Sequence, residues 1–99
     1  MAKYKLTKKA VEDLTEIWDY TFDEWSEKQA DIYYQLFLEN FQHIADDPNI
    51  GKKYDVIEDN LMGLRVSRHI IFYRRLNDKT IEITRILHGR MDLKNRMEE

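Results

Sequence analysis

The spacing of apolar residues changes once along this chain, and that change limits the folds it can adopt. Between residues 7 and 46, apolar side chains recur every three or four positions, which is typical of amphipathic helices. From residue 64 onward they alternate with polar residues or gather in runs rich in β-branched and aromatic side chains, as in strands. No internal repeat or low-complexity tract divides the 99 residues. The sequence therefore predicts a single α+β domain over residues 1–99.

Two helix start signals lie in the first third of the chain. After the alternating segment Lys3–Leu6, which predicts a short strand, Thr7 is placed to cap a first helix. Ser26 and Gln29 form a capping box for a second helix, and Pro48 ends it. Because only about three residues separate the two helices, they are expected to form an antiparallel hairpin.

Three strands are predicted in the last third of the chain. They cover residues 64–68, 69–75 and 80–88. The last two are joined through the turn-forming pair Asn77 and Asp78, whereas residues 50–62 show no period and predict a crossing loop with at most one short extended piece. We expect the N-terminal strand and the helical hairpin to pack on a small antiparallel sheet, leaving its other face open.

The charge is unevenly distributed, and every arginine lies between Arg65 and Arg96. Residues 1–60 carry 7 Lys and 14 Asp or Glu, a formal charge of 7 − 14 = −7, whereas residues 61–99 carry 9 basic and 5 acidic residues, or 9 − 5 = +4. A net charge of −3 and a pI near 5.6 argue against general nucleic-acid binding. An anionic partner would have to be met locally, by the basic last third.

Several function classes lack their sequence signals in this chain. The absence of cysteine excludes disulfides and thiolate chemistry. Neither a phosphate-binding glycine loop, a serine-nucleophile elbow nor a metal-ligand spacing is present, so no metal or other cofactor is expected. No signal peptide or long apolar run is found, and we expect a cytoplasmic protein.

Arginines on the predicted strands form a candidate anion-binding surface, since guanidinium groups match the oxygens of phosphates and carboxylates. The alternative is an ordinary solvated strand face paired with nearby carboxylates. Arg65 alternates with Leu64 and Val66, which predicts that it lies on the open side of the sheet. Arg85 instead falls in phase with the apolar residues around it, which predicts either a bulge or a carboxylate partner.

Histidines and helical aromatic residues are the other candidates. His88 could act in acid–base chemistry because imidazole titrates near neutral pH, although a strand histidine is more often structural. His69 ranks below it, and His43 is assigned to the surface or to packing. The aromatic residues of the hairpin are expected mainly in the core, with some of them exposed to a partner.

Short motifs in a fixed order connect the chain to a known family. They are Leu6-Thr-Lys-Lys-Ala10, Trp25-Ser-Glu-Lys-Gln-Ala30, Pro48-Asn-Ile-Gly51, Gly63-Leu-Arg65, His69-Ile-Ile-Phe-Tyr-Arg74 and the most specific one, Ile83-Thr-Arg-Ile-Leu-His-Gly-Arg-Met-Asp92. Together they resemble the ParE toxins of type II toxin–antitoxin systems, in the RelE/ParE superfamily, over nearly the whole chain. The resemblance implies an α+β fold with a helical hairpin packed on a sheet.

The resemblance also implies a function. ParE-like toxins inhibit DNA gyrase, block replication, are not enzymes, and are neutralised by a ParD-like antitoxin in a hetero-oligomer. On this reading the target-binding residues are Arg65, Arg74, Arg85, His88 and Arg90. The antitoxin-binding residues are Trp18, Trp25, Tyr33 and Phe37. No membrane association or sequence-specific DNA binding is expected.

Two alternatives stay open at this point. RelE-like relatives on the same fold cut messenger RNA on the ribosome, and in that case His88, Arg65 and Arg85 would form the catalytic set. The net acidic chain and its ParE-like ending favour gyrase inhibition over this activity. The other alternative is an inactive relative that serves only as a partner for an antitoxin.

Overall fold

A computed structural model describes residues 2–89, which fold into two helices and five strands. The elements in chain order are β1 (Lys3–Leu6), α1 (Lys8–Glu24), α2 (Glu27–Asp46), β2 (Lys52–Lys53), β3 (Met62–Val66), β4 (His69–Asn77) and β5 (Thr80–His88). The predicted strand, helical hairpin and three C-terminal strands are confirmed. The two-residue β2 is the short extended piece expected between residues 50 and 62.

Both predicted helix caps are present. The Thr7 hydroxyl accepts a hydrogen bond from the backbone N–H of Ala10 at 3.0 Å, and the Ser26 hydroxyl accepts one from Gln29 at 3.1 Å. Thr7 also donates to the carbonyl of Thr84 at 2.8 Å, which joins the start of α1 to β5. Each cap stabilises its helix by about 1 kcal/mol because it satisfies an N–H group that has no partner inside the helix.

The strands form one mixed sheet in the order β1-β5-β4-β3-β2. Pairs β3–β4 and β4–β5 are antiparallel, as predicted, and β2 adds to β3 in the same antiparallel sense. β1, however, adds to β5 in parallel, with Lys3 opposite Thr80 and Leu6 opposite Ile83. Parallel neighbours cannot be joined by a tight turn, and the chain between β1 and β5 passes through both helices and the other three strands.

The main core lies between the helical hairpin and one face of the sheet. Its largest fully buried side chains are Phe37, Phe41, Ile44, Ile71, Tyr73 and Ile83. Tyr73 keeps its hydroxyl satisfied there, since it donates to the carbonyl of Pro48 at 2.7 Å and accepts from the N–H of Gly51 at 3.0 Å. This hydroxyl fixes the chain where it leaves α2 and turns toward β2.

The second face of the sheet is partly covered, which corrects the expectation of an open face. Leu61, Ile70, Phe72 and Leu87 form a second buried cluster there, and Tyr54 packs edge-on against Phe72 with ring centroids 5.1 Å apart. The covering segment is the loop between β2 and β3. The continuous apolar run at the start of β4 reflects this arrangement, because a strand covered on both faces does not need to alternate.

Candidate functional site

Arg85 lies at a β-bulge, which is one of the two arrangements predicted from its position in phase with apolar residues. In the β4–β5 register, Phe72 pairs with Arg85 but the next residue, Tyr73, pairs with Ile83, so Thr84 is an extra residue on β5. The Thr84 hydroxyl donates to the carbonyl of Phe72 at 3.1 Å. The bulge shifts the alternation of β5, and Arg85 turns toward α1.

The second explanation, a carboxylate partner, is also present. Asp13 of α1 accepts hydrogen bonds from Arg85 Nε at 2.7 Å and Nη2 at 3.0 Å, and from the backbone N–H of Ile86 at 3.0 Å. Both charged side chains are about nine-tenths buried. β1 pairs with β5 only as far as Ile83, so beyond this point the Asp13 carboxylate, rather than a strand, accepts the backbone N–H of Ile86 at the edge of β5. Direct contact between Arg85 and a partner would require the pair to separate.

A large groove opens beside this pair, and we call it the hairpin groove. It has a volume of about 900 Å³. Its walls come from α1, α2, the β3–β4 turn and the end of β5: Asp13, Glu16, Ile17, Tyr20, Thr21, Trp25, Gln29, Ile32, Tyr33, Ser67, Arg68, His69, Ile86, Leu87 and His88. Trp25 is 72% exposed at its rim, Tyr20 65% and Ile32 53%. Large apolar side chains so placed are typical of a surface that a partner covers.

A polar cluster of Tyr33, His69 and His88 forms one end of the groove. The Tyr33 hydroxyl lies 2.7 Å from His69 Nδ1, and the rings of His69 and His88 lie edge to face with centroids 5.3 Å apart. Burial, together with the neighbouring His88, lowers the pKa of His69 to about 4. Burial raises the pKa of Tyr33. At neutral pH the cluster therefore holds a neutral imidazole beside a protonated phenol.

The four predicted antitoxin-binding aromatics occupy three different environments. Trp25 and Tyr33 line the hairpin groove. Trp18 instead lies along the hairpin, where its indole N–H donates to Asp31 at 3.2 Å. Phe37 is fully buried and packs against Tyr33 and the ring of His69, so its part in any partner contact is to support the groove from below.

The predicted target-binding residues do not form one surface. Arg65 is exposed on the sheet face opposite the helices, as predicted, and its guanidinium lies over Gly89, where an added Cβ would be 3.1 Å from Nη1. Arg74 is bound by Glu58 at 2.7 Å, with Glu82 at 3.8 Å. His88 faces the hairpin groove. The remaining residue, Arg90, lies outside the described residues.

Sequence reasoning missed several residues of the groove. Tyr20 and Ile32 were not among the predicted sites, Arg68 was predicted only as a member of the anion-binding arginine surface, and His69 was ranked low, although all four line the groove. The helical residues carried a usable signal, since Tyr20 lies near the end of α1 and Ile32 near the start of α2, on either side of the short connection between the helices. The pairing of His69 with His88 depends on strand register across two irregularities, which the sequence does not specify.

The matches with known proteins agree with this architecture. The family model described as ParE toxin of type II toxin-antitoxin system, parDE, matches residues 4–93. The chain belongs to this family. The matched residues include both helices, Arg65 and every wall of the hairpin groove, so the site described above lies within the part of the chain that ParE toxins share.

Named relatives and a solved structure show the same similarity. The chain is 36% identical over 92 residues to Toxin ParE1 of Mycobacterium tuberculosis (strain ATCC 25618 / H37Rv), which covers 93% of this chain and 94% of the relative. It is 29% identical over the same length to Toxin ParE1 of Caulobacter vibrioides, with the same coverage. A structure titled "Chromosomal ParDE TA system from P. aeruginosa" matches its fold with a TM-score of 0.73, at 22% identity, over 89% of this chain and 95% of that one. The predicted fold class is thereby confirmed.

None of the helices within residues 2–89 is long and apolar enough to span a membrane.

Proposed function

We propose that this ParE-family toxin acts in the cytoplasm by inhibiting DNA gyrase, and that a ParD-like antitoxin neutralises it by docking in the hairpin groove. Membership of the family supports the toxin role. The observation that carries the antitoxin part is the groove itself, where Trp25, Tyr20 and Ile32 are more than half exposed. The gyrase part rests on resemblance to ParE toxins and on the charge of the chain.

The groove suits an amphipathic segment that orders on binding. Its rim offers aromatic and aliphatic side chains to an apolar helix face or strand, while Glu16 and Arg68 on its walls offer charges of both signs for polar residues beside them. Aromatic anchors in such a pocket usually carry most of the binding energy. Trp25 is therefore assigned as the principal antitoxin anchor and Tyr33 as the wall behind it.

The sheet face opposite the helices suits a different partner. Arg65 is exposed there, on the opposite side of the sheet from His69 and His88. Arg74 is already compensated by Glu58 and contributes less charge to a partner. We assign Arg65 to the gyrase contact. With the two surfaces on opposite faces, antitoxin binding would neutralise the toxin by changing its conformation or by steric bulk rather than by covering Arg65.

The messenger nuclease receives less support from this geometry. Its three expected residues are dispersed: Arg85 is buried against Asp13, while Arg65 and His88 lie on opposite faces of the sheet. Phosphoryl-transfer chemistry needs the charged groups to converge on one phosphate. This separation favours a protein inhibitor over an enzyme, and an inactive relative is distinguished from both by whether induction arrests growth.

The direct test is a supercoiling assay with relaxed plasmid, purified gyrase and the full-length toxin freed from antitoxin. We expect loss of supercoiling and accumulation of linear DNA, and we expect both to disappear when the antitoxin is added back. Growth arrest without any effect on gyrase, accompanied by cleavage of ribosome-bound messenger RNA, would replace this proposal with the nuclease. No growth arrest by a folded chain would indicate the inactive relative.

Matched substitutions separate the two surfaces. Trp25→Ala and Ile32→Asp are expected to weaken antitoxin binding by about thirtyfold or more, the loss expected of a buried anchor of about 2 kcal/mol, with growth arrest unchanged. Val56→Asp, at an apolar residue that is 93% exposed in the loop over the other sheet face, is the control for both. Weakening by Val56→Asp to the same degree would refute the assignment of the groove.

The charge reversal Arg65→Glu tests the gyrase contact. It should reduce gyrase inhibition while leaving antitoxin binding intact, because the exposed guanidinium lies away from the groove. The matched control is Arg75→Glu, which changes the same charge at another exposed position of the sheet. Equal loss of inhibition in both variants would indicate a general charge effect, and unchanged inhibition in both would remove Arg65 from the contact.

A further inference from the structure

Two histidines from neighbouring strands face each other at the end of the hairpin groove. His69 opens β4 and His88 closes β5, and the register places them directly opposite one another. Opposed residues on antiparallel strands project to the same face, with Cβ atoms about 5 Å apart. Both side chains line the groove. Nineteen positions separate them in the sequence, so no ligand-spacing motif reveals them.

The distance between the two rings fits metal coordination. With Zn–N bonds of about 2.0–2.1 Å and each nitrogen about 1.1 Å from its ring centre, two imidazoles bound at a tetrahedral angle have centroids about 5 Å apart. The rings of His69 and His88 have centroids 5.3 Å apart and planes inclined by 71°. The separation of the two ring centres is therefore close to the one that a shared cation requires.

The hydrogen bond to Tyr33 prepares His69 for this role. The Tyr33 hydroxyl lies 2.7 Å from His69 Nδ1. In the tautomer that carries its proton on Nδ1, this N–H donates to the phenol oxygen and the lone pair on Nε2 is available to a cation. Histidine ligands usually have such an outer partner, which fixes the tautomer and the ring orientation.

We propose that His69 and His88 bind a late first-row divalent cation of the Zn²⁺ or Ni²⁺ class at the end of the hairpin groove. Imidazole favours these cations over Mg²⁺ and Ca²⁺, which prefer oxygen ligands. Within residues 2–89, no set of three or more His, Cys, Asp and Glu side chains could hold a metal ion, so water must complete the coordination. The site is therefore of the open type, with positions directed into the groove.

Calorimetric titration of the full-length, untagged chain with ZnCl₂ and NiCl₂ tests this proposal. We expect saturable binding of one cation per chain, no binding of Mg²⁺, and affinity at least about tenfold weaker in His88→Gln. His43→Gln is the matched control, because His43 is an exposed histidine on α2 away from the groove. Tyr33→Phe should lower the affinity by about tenfold through loss of the outer hydrogen bond.

A second measurement guards against variants that fail to fold. Co²⁺ added to the unmodified chain should produce a visible absorption spectrum that Zn²⁺ abolishes by competition. The proposal is overturned if Zn²⁺ and Ni²⁺ show no saturable binding at concentrations up to about 1 mM, because a site built from imidazole ligands should bind these cations at much lower concentrations. It is equally overturned if His43→Gln removes binding and a folded His88→Gln retains it.

Discussion

The buried pair of Asp13 and Arg85 leads to the sharpest prediction about this toxin. Asp13 receives three hydrogen bonds, two from Arg85 and one from the N–H of Ile86, and both side chains are about nine-tenths buried. Replacing Arg85 by Met keeps most of its volume but leaves a buried carboxylate without its counter-ion. Breaking such a pair costs about 3–5 kcal/mol, out of about 5–15 kcal/mol for a domain of this size.

The double variant Asp13→Leu with Arg85→Met should be much less destabilised than the sum of its single variants. It removes both charges and leaves the N–H of Ile86 without its acceptor, a loss of about 1–3 kcal/mol. The coupling free energy between the two positions is therefore expected to exceed about 2 kcal/mol. Urea unfolding followed by circular dichroism measures it, with Arg75→Met, an exposed arginine of the same sheet, as the control.

The same variants decide what Arg85 does in the toxin. If it is purely structural, Arg85→Met should lose growth arrest in proportion to its loss of folded protein, and the double variant should recover both together. The reasoning is refuted if Arg85→Met lies within about 0.5 kcal/mol of the parent, as an ordinary surface substitution would. A stable double variant with no toxicity would instead restore Arg85 as a direct target contact.

Three further predictions concern stability. Because folding lowers the pKa of His69 from 6.5 to about 4, the unfolded chain binds the extra proton, so the contribution of this ring is complete above pH 6.5 and is lost as the pH falls toward 4. Discounted for partial exposure, this contribution is at most about 2 kcal/mol. His69→Gln should therefore reduce the difference in free energy of unfolding between pH 7 and pH 4.5 by up to that amount. An unchanged difference in the variant would contradict the lowered pKa of His69. Tyr73→Phe should cost about 1–3 kcal/mol, because the lost hydroxyl serves two backbone groups, and a neutral result in urea unfolding would show that water replaces it. Thr7→Ala should destabilise more than Ser26→Ala, at about 2 against 1 kcal/mol, since Thr7 caps a helix and also binds β5; equal losses in thermal unfolding would remove the second contribution.

Local features of the fold could be predicted from the sequence because their signals are local. The caps at Thr7 and Ser26 and the turn at Asn77 each depend on hydrogen bonds within three residues, and all three are observed. The side of the sheet on which Arg65 lies followed from alternation alone. The parallel position of β1 and the loop over the second sheet face were missed, because neither partner is specified by residues nearby.

The candidate site was predicted less well, since its members come from distant parts of the chain. Arg85 and Asp13 are 72 residues apart, and only the packing of α1 against β5 brings them together. Residue type alone suggested that the arginines act together. In the structure they are separated, because Arg85 is buried against Asp13, Arg74 is paired with Glu58, and Arg65 lies on the sheet face opposite the helices. Of the aromatic residues predicted to bind a partner, Trp25 and Tyr33 line the groove, whereas Phe37 is fully buried because α2 turns this side chain toward the core.

The parallel pairing of β1 with β5 has a consequence for when this protein becomes a folded toxin. Lys3 is paired with Thr80, so the first strand to leave the ribosome has to wait for the last before it can join the sheet. The helices can form from nearby contacts, but closing a loop of this length must come before the sheet is complete, which slows folding. A chain whose synthesis stops before β5 lacks the strand to which both β1 and Asp13 attach. The sheet can therefore close only after translation has passed β5, and until then the helical hairpin lacks the strand that fixes its position.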